Sequence, residues 1–241
     1  MSKSKRKHKS NKTIIVTSKK NPGKTLVIYT SIIIVLFLAI FLINRVSNEK
    51  TQELERVDDQ PAIANQPYFG QENAKVTLVE FGDFKCPACK AWGERIYPEL
   101  KEQYIETGKL KLIYVNTIIH GEESELGAMA AESVLSQNAE AYWPFHESLF
   151  RAQPSENHDE LWITEDKILE MAGSVTPEID LQKLKDDITG KQSAPQIQKD
   201  NELIKQYNVQ KTPTIMINGI ILTDPFDIEK IKSIIDQELG G

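Results

Sequence analysis

The run Val76-Thr77-Leu78-Val79-Glu80-Phe81-Gly82 is followed, after three intervening residues, by Cys86-Pro87-Ala88-Cys89. That order restricts the fold more than any other stretch of the chain. Val76 to Phe81 is dense in β-favouring residues, and Val76 to Gly82 predicts a buried strand. From Ala88 to Thr107 apolar residues recur at Trp92, Ile96, Leu100 and Tyr104, which is helical spacing, and Gly108 marks the end of that helix. Leu110 to Val115 predicts a second strand. Strand, cysteine pair, helix and strand make a parallel βαβ unit with the cysteines at its C-terminal edge, where open α/β sheets place ligands and chemistry. A cysteine at a helix N-terminus faces unpaired backbone N–H groups and the positive end of the helix dipole, and both favour the thiolate. The thiolate is the species that attacks disulfides, so disulfide exchange is the expected chemistry. The chain has 2 cysteines, so no thiol is spare.

The second half supplies the rest of a sheet. Thr214 to Ile217, the turn Asn218-Gly219, and Ile220 to Leu222 form a β-hairpin signature. Asp227 to Leu239 reads as a closing amphipathic helix with Ile228, Ile231, Ile234, Ile235 and Leu239 on one face. Between Glu122 and Gln192 there is no strand-like run. Short helices are expected instead at Glu125 to Gln137, Ala141 to Arg151, Thr164 to Ala172 and Pro177 to Ile188. The expected class is α/β, with a helical block inserted between the second and third strands. A domain over residues 66–241 is long enough to bury a core without structural disulfides.

Charge divides the rest. The net charge of -6 averages two opposite segments: residues 1–24 hold nine of the 29 Lys and Arg and no acid, while all 35 acidic residues follow Lys24. Between the segments, Thr25 to Ile43 is uncharged and apolar. As a helix, rising ~1.5 Å per residue, it would be long enough to cross a bilayer. No small-x-small site follows it, so an uncleaved signal anchor is preferred to a cleaved signal peptide. The basic flank places residues 1–24 in the cytoplasm and everything after Asn44 outside, where disulfides persist. A nucleic-acid role for the basic tail is not needed. Pro22-Gly23-Lys24-Thr25 is not a phosphate-binding loop, because position 18 is Ser where Gly is required. Residues 44–65 read as a polar linker, helical around Glu49 to Val57.

Phe81-Gly82-Asp83-Phe84-Lys85-Cys86-Pro87-Ala88-Cys89-Lys90, Tyr142-Trp143-Pro144-Phe145-His146-Glu147-Ser148-Leu149-Phe150 and Val209-Gln210-Lys211-Thr212-Pro213-Thr214 resemble, in order and spacing, the signature segments of the DsbA-like thiol-disulfide oxidoreductases. They are most similar to the membrane-anchored BdbD type of Gram-positive bacteria. The resemblance implies a thioredoxin fold with an inserted helical domain at about 122–192. It also implies a Cys86–Cys89 redox pair that donates disulfides to reduced secreted or surface proteins. Pro213 would be cis and lie against the cysteines, the Thr212 backbone would pair with an extended substrate, and Pro87 and Ala88 would set the surroundings of the Cys86 sulfur. Glu80 would relay the Cys89 proton. No cofactor is required for exchange, but Gln66, Glu132 and Asp200 would hold a structural calcium, a set that their spacing alone does not reveal. Reoxidation would fall to an integral-membrane, quinone-linked thiol oxidase of the DsbB or vitamin K epoxide reductase type.

Other readings of the same residues stay open at this level. Zinc would need further Cys or His ligands at metal spacing, and the four histidines are scattered. A purely structural Cys86–Cys89 disulfide would close too short a loop to stabilise much. The pair could also run as a reductase or isomerase, or the domain could be a peptide-binding adaptor. Trp143, Phe145 and Phe150 are expected in the core, and His146 in the core or at the surface.

Overall fold

The computed structural model describes residues 29–30, 32–40, 55–57, 63, 65–175 and 178–240. The chain divides into two units, Met1–Glu53 and Leu54–Gly241. In the first, residues 29–30 and 32–40 are helical, with Ile32, Ile33, Ile34, Val35, Leu36, Phe37 and Leu38 all exposed. Among the described residues no helix is long and apolar enough to cross a membrane. The ends of the span expected over 25–43 lie outside the described residues.

The second unit is built on one six-stranded sheet. Its strands are β1 (Glu55–Arg56), β2 (Tyr68–Phe69), β3 (Val76–Gly82), β4 (Leu110–Asn116), β5 (Thr214–Ile217) and β6 (Ile220–Ile221), in the order β1-β6-β5-β3-β4-β2. β3 and β4 run parallel with Val76 opposite Leu110 and Gly82 opposite Asn116, and the other pairs are antiparallel. β3 is buried along its whole length, as a strand covered on both faces must be. Alternation sorts its side chains. Val76 and Leu78 join the larger core with Leu110, Leu112, Tyr114, Ile215 and Ile217, while Val79 and Phe81 face a smaller one with Ile113, Val115 and Met216. Glu80 shares the parity of Leu78, which aims it at the larger core beneath the cysteine helix. In the β5–β6 hairpin, Asn218 and Gly219 both take positive φ, 44° and 82°, as a two-residue primed turn requires.

The helices are α1 (Pro87–Arg95), α2 (Tyr97–Leu100), α3 (Glu122–Gln137), α4 (Ala139–Ala152), α5 (Glu165–Val175), α6 (Leu181–Thr189), α7 (Ala194–Gln206) and α8 (Ile228–Gly240). α3 to α6 pack on one another as the inserted helical block. α8 returns to the sheet, burying Ile231, Ile234 and Ile235.

Three local expectations need correction. The single helix expected from Ala88 to Thr107 is broken into α1, α2 and a π-helical turn at Lys101–Ile105. Pro98 has no N–H to give the Glu94 carbonyl, so α1 stops and Pro98 instead serves the first turn of α2. Glu55–Arg56, expected within a helix, is an edge strand on β6. A further helix, α7, went unanticipated between the insertion and β5. It buries Ile197, Asp200 and Leu203, and Leu203 belongs to the smaller core on the far face of the sheet.

Candidate active site

β3 ends at Gly82, and its successor segment turns directly into α1. Gly82 sits against the ring of Tyr114, where an added Cβ would fall 2.4 Å from Cε2, so only a glycine lets the segment lie this close to β4. The Cys86 N–H then donates to the Asp83 carbonyl at 3.0 Å, and Cys86 becomes the N-cap of α1 with extended backbone angles. Pro87 occupies the first turn, where its missing N–H costs nothing.

The two sulfurs meet different surroundings. Cys86 is held down to about 5, first by a hydrogen bond from the Cys89 thiol, then by the Thr212 side chain and the amides of Cys89 and Ala88, with burial opposing. As a thiol it also reaches the Thr212 carbonyl at 3.5 Å. That second contact favours the neutral form, but the amides at the helix end outnumber it. Cys89 is 1% exposed, and burial pushes it well above its ordinary value of 9.0. The Asp83 amide donates to its sulfur at 3.5 Å. Both cysteines are free thiols here. The Thr212–Pro213 peptide is cis and brings this segment to the Cys86 sulfur.

Glu80 lies beneath the pair. It is 3% exposed, and its Oε1 finds no partner among the described residues. Burial, reinforced by charge on Cys86, pushes its carboxyl up to about 8. It lines a cavity of about 350 Å³ together with Cys89, Trp92, Tyr97, Trp143 and His146, and Glu94, Lys101, Glu147 and Arg151 also border that space. His146 is buried, as the core reading allowed, among Phe84, Tyr114, Trp143 and Phe150. Burial lowers it to about 3, and neither ring nitrogen finds a partner among the described residues. Trp143 and Phe145 are core, while Phe150 is only partly buried against it.

The three residues expected to bind calcium, far apart in sequence, come together elsewhere in the domain. Gln66 Nε2 donates to Asp200 Oδ1 at 2.6 Å, and Asn116 Nδ2 bridges Glu132 Oε1 at 2.8 Å and Asp200 Oδ2 at 3.0 Å. Burial raises Glu132 to about 8 and Asp200 to about 6. Among the described residues no group of three or more His, Cys, Asp or Glu is arranged to hold a metal. The cluster therefore needs its two amide side chains, and Asn116, which sequence reasoning missed, is the member that ties it to β4. The other missed residue is Asp83, whose signal was an Asx turn: its Oδ1 accepts from Lys85 N at 2.8 Å.

Comparison with known proteins agrees with this geometry. The thioredoxin family matches residues 63–237. Disulfide bond formation protein D of Bacillus subtilis is 37% identical over 195 residues, covering 81% of this chain and 86% of that one. The probable disulfide bond formation protein D of Bacillus cereus is 32% identical over 221 residues, covering 92% and 99%. The crystal structure of oxidised BdbD from Bacillus subtilis superposes with a TM-score of 0.74 at 37% identity, covering 78% of this chain and 100% of that one. The chain belongs to the thioredoxin family. Its place there is with the DsbA-like thiol-disulfide oxidoreductases of the BdbD type, enzymes that form disulfide bonds.

Proposed function

We propose that Cys86 is the sulfur that exchanges with substrate, that Cys89 is its buried partner, and that the domain works outside the cell membrane as a disulfide donor to reduced secreted or surface proteins. A substrate thiolate attacks Cys86 of the Cys86–Cys89 disulfide. The S–S bond breaks, and its electron pair goes to Cys89, which takes up a proton. A second substrate thiolate then attacks the substrate sulfur of the mixed disulfide, and Cys86 departs as a thiolate that needs no proton at neutral pH. The observation that carries this reading is the contrast between the sulfurs, with Cys86 drawn to about 5 and Cys89 driven well above 9.0.

Glu80 is the neighbour able to exchange the Cys89 proton, since a carboxyl near 8 is mostly neutral at pH 7. The unpartnered atoms of Glu80 and His146 border a cavity with room for ordered water, which would carry that proton to solvent. At the Cys86 sulfur, Thr212 and Pro213, with Pro87 and Ala88, would receive an extended substrate chain through backbone contacts.

The exposed apolar helix at 32–40, within the span expected over 25–43, supports a membrane anchor, with residues 1–24 cytoplasmic, 44–65 as the connection and the domain over 66–241. Regeneration of the disulfide would then fall to a membrane-embedded, quinone-linked thiol oxidase of the DsbB or vitamin K epoxide reductase type. The test is the equilibrium of the full-length chain with glutathione, read by thiol trapping. A potential near the DsbA level of about −120 mV is expected, and one near the thioredoxin level of about −270 mV would make the enzyme a reductase.

Glu132, Asp200, Gln66 and the Asn116 Oδ1, which finds no partner among the described residues, are hard oxygen donors that suit calcium. A bound cation would neutralise two buried carboxylates. Added calcium is expected to raise the melting temperature of the native chain and to leave that of Glu132→Gln unchanged. Equal shifts in the two would place the ion elsewhere.

A further inference from the structure

Asp83 lies between β3 and α1, three residues before Cys86, and the exchange steps above give it no part. It is 2% exposed, yet its carboxylate is saturated with partners. Oδ2 receives Ile119 N at 3.0 Å, His120 N at 3.2 Å, His120 Nδ1 at 2.8 Å and Ser124 Oγ at 2.9 Å, while Oδ1 receives Lys85 N at 2.8 Å. These donors come from the segment after β4, from the first turn of α3 and from the cysteine loop itself. Its main chain touches both cysteines: the carbonyl accepts from Cys86 N at 3.0 Å, and the amide donates to Cys89 Sγ at 3.5 Å.

We propose that Asp83 is a positioning residue, whose buried carboxylate fixes the loop so that its own amide N–H faces the Cys89 sulfur and stabilises the charge that forms there when Cys89 leaves. The inference rests on the roles assigned above to Cys86 and Cys89. In the step concerned, a thiolate forms a bond to Cys86 Sγ, the Cys86–Cys89 bond breaks, and the electron pair arrives on Cys89 before its proton does. Cys89 is 1% exposed, so a fixed amide dipole does at its sulfur what bulk solvent would do for an exposed thiolate. Cys86 has its own amides at the helix end and depends on Asp83 far less.

That difference separates positioning from mere structural support. In Asp83→Asn one oxygen becomes an NH₂ group, which must face either the four donors at Oδ2 or the Lys85 amide at Oδ1, and the loop must shift. Two rates are compared in the full-length chain: cleavage of the oxidised protein by reduced glutathione, in which Cys89 leaves, and alkylation of the reduced protein by iodoacetamide, which reads Cys86 alone. Cleavage is expected to slow about tenfold, the scale of losing one hydrogen bond to a charged group, with alkylation close to the native rate. Ser124→Ala removes a single donor and should show a smaller slowing of cleavage, again without change in alkylation; it decides the matter if the Asp83 variant does not fold. Native cleavage rates in the variants, or cleavage and alkylation falling by the same factor, would overturn the proposal. No cleavage of the native protein by glutathione would instead refute the roles of the cysteines.

Discussion

Replacing Cys86 by serine is expected to lower disulfide transfer to a reduced model protein by about a thousandfold or more, the scale seen when a nucleophile is removed. Serine keeps the size of the side chain and the N-cap position, so the fold should survive and the loss should lie in chemistry. Cys89→Ser should behave differently. The Cys86 thiolate remains, no partner is present to release a captured substrate, and mixed disulfides should accumulate and be recoverable from the reaction. In the native reduced protein, the alkylation rate of Cys86 should stay level from pH 8 down and fall by half near pH 5, following its lowered value. A midpoint near 9 would mean that the helix end does not hold the thiolate. The same linkage bears on stability. Because the folded value lies below the unfolded one, ionised Cys86 stabilises the reduced fold fully above about pH 9, and that contribution declines as pH falls and is lost through about pH 5.

Glu80→Gln should stabilise the domain at pH 7 while slowing turnover by about a hundredfold, a combination expected of a buried group kept for chemistry. The unfolded chain ionises this carboxyl near 4.5, whereas the folded protein ionises it only near 8. Between those values folding must take up a proton or bury a charge, so the stability of the native protein falls as pH rises from about 4.5 to 8. Glutamine removes that burden. The gain should be about 2 kcal/mol at pH 7 after allowing for the unpaired amide, and should turn into a small loss below about pH 4, where only the cost of that amide remains. Chemical denaturation of both proteins at pH 4 and pH 7 measures it. A variant less stable than native at pH 7, or one with native turnover, would remove Glu80 from the proton path.

The elements with long, regular patterns were legible in the sequence. β3 was read at its observed bounds, the Asn218-Gly219 turn was fixed by its residue pair, and the insertion helices lay within a few residues of their observed ends. α7 was not, because Ala194–Gln206 is mostly polar and only Ile197, Asp200 and Leu203 are buried, too few to set a period. β1 and β2 have two residues each, too short to show alternation. Within the site, the Cys86–Cys89 pair announced itself through its place after a strand. Glu80 could be placed by strand parity, but its burial depended on α1 and the insertion closing over it. Asp83 and Asn116 draw their importance from contacts distant in sequence, 36 residues in Asp83–Ile119 and 84 in Asn116–Asp200, and local sequence carries no trace of those distances.

The residues lining the cavity beneath Cys89 include none of Cys86, Thr212 and Pro213, the groups that meet at the Cys86 sulfur. A polypeptide held on Cys86, Thr212 and Pro213 would therefore touch a different set of side chains from those that surround Glu80. On the proton path proposed above, Glu80 would exchange its proton through a space distinct from the one that holds the client, and resetting that proton would not require the client's release.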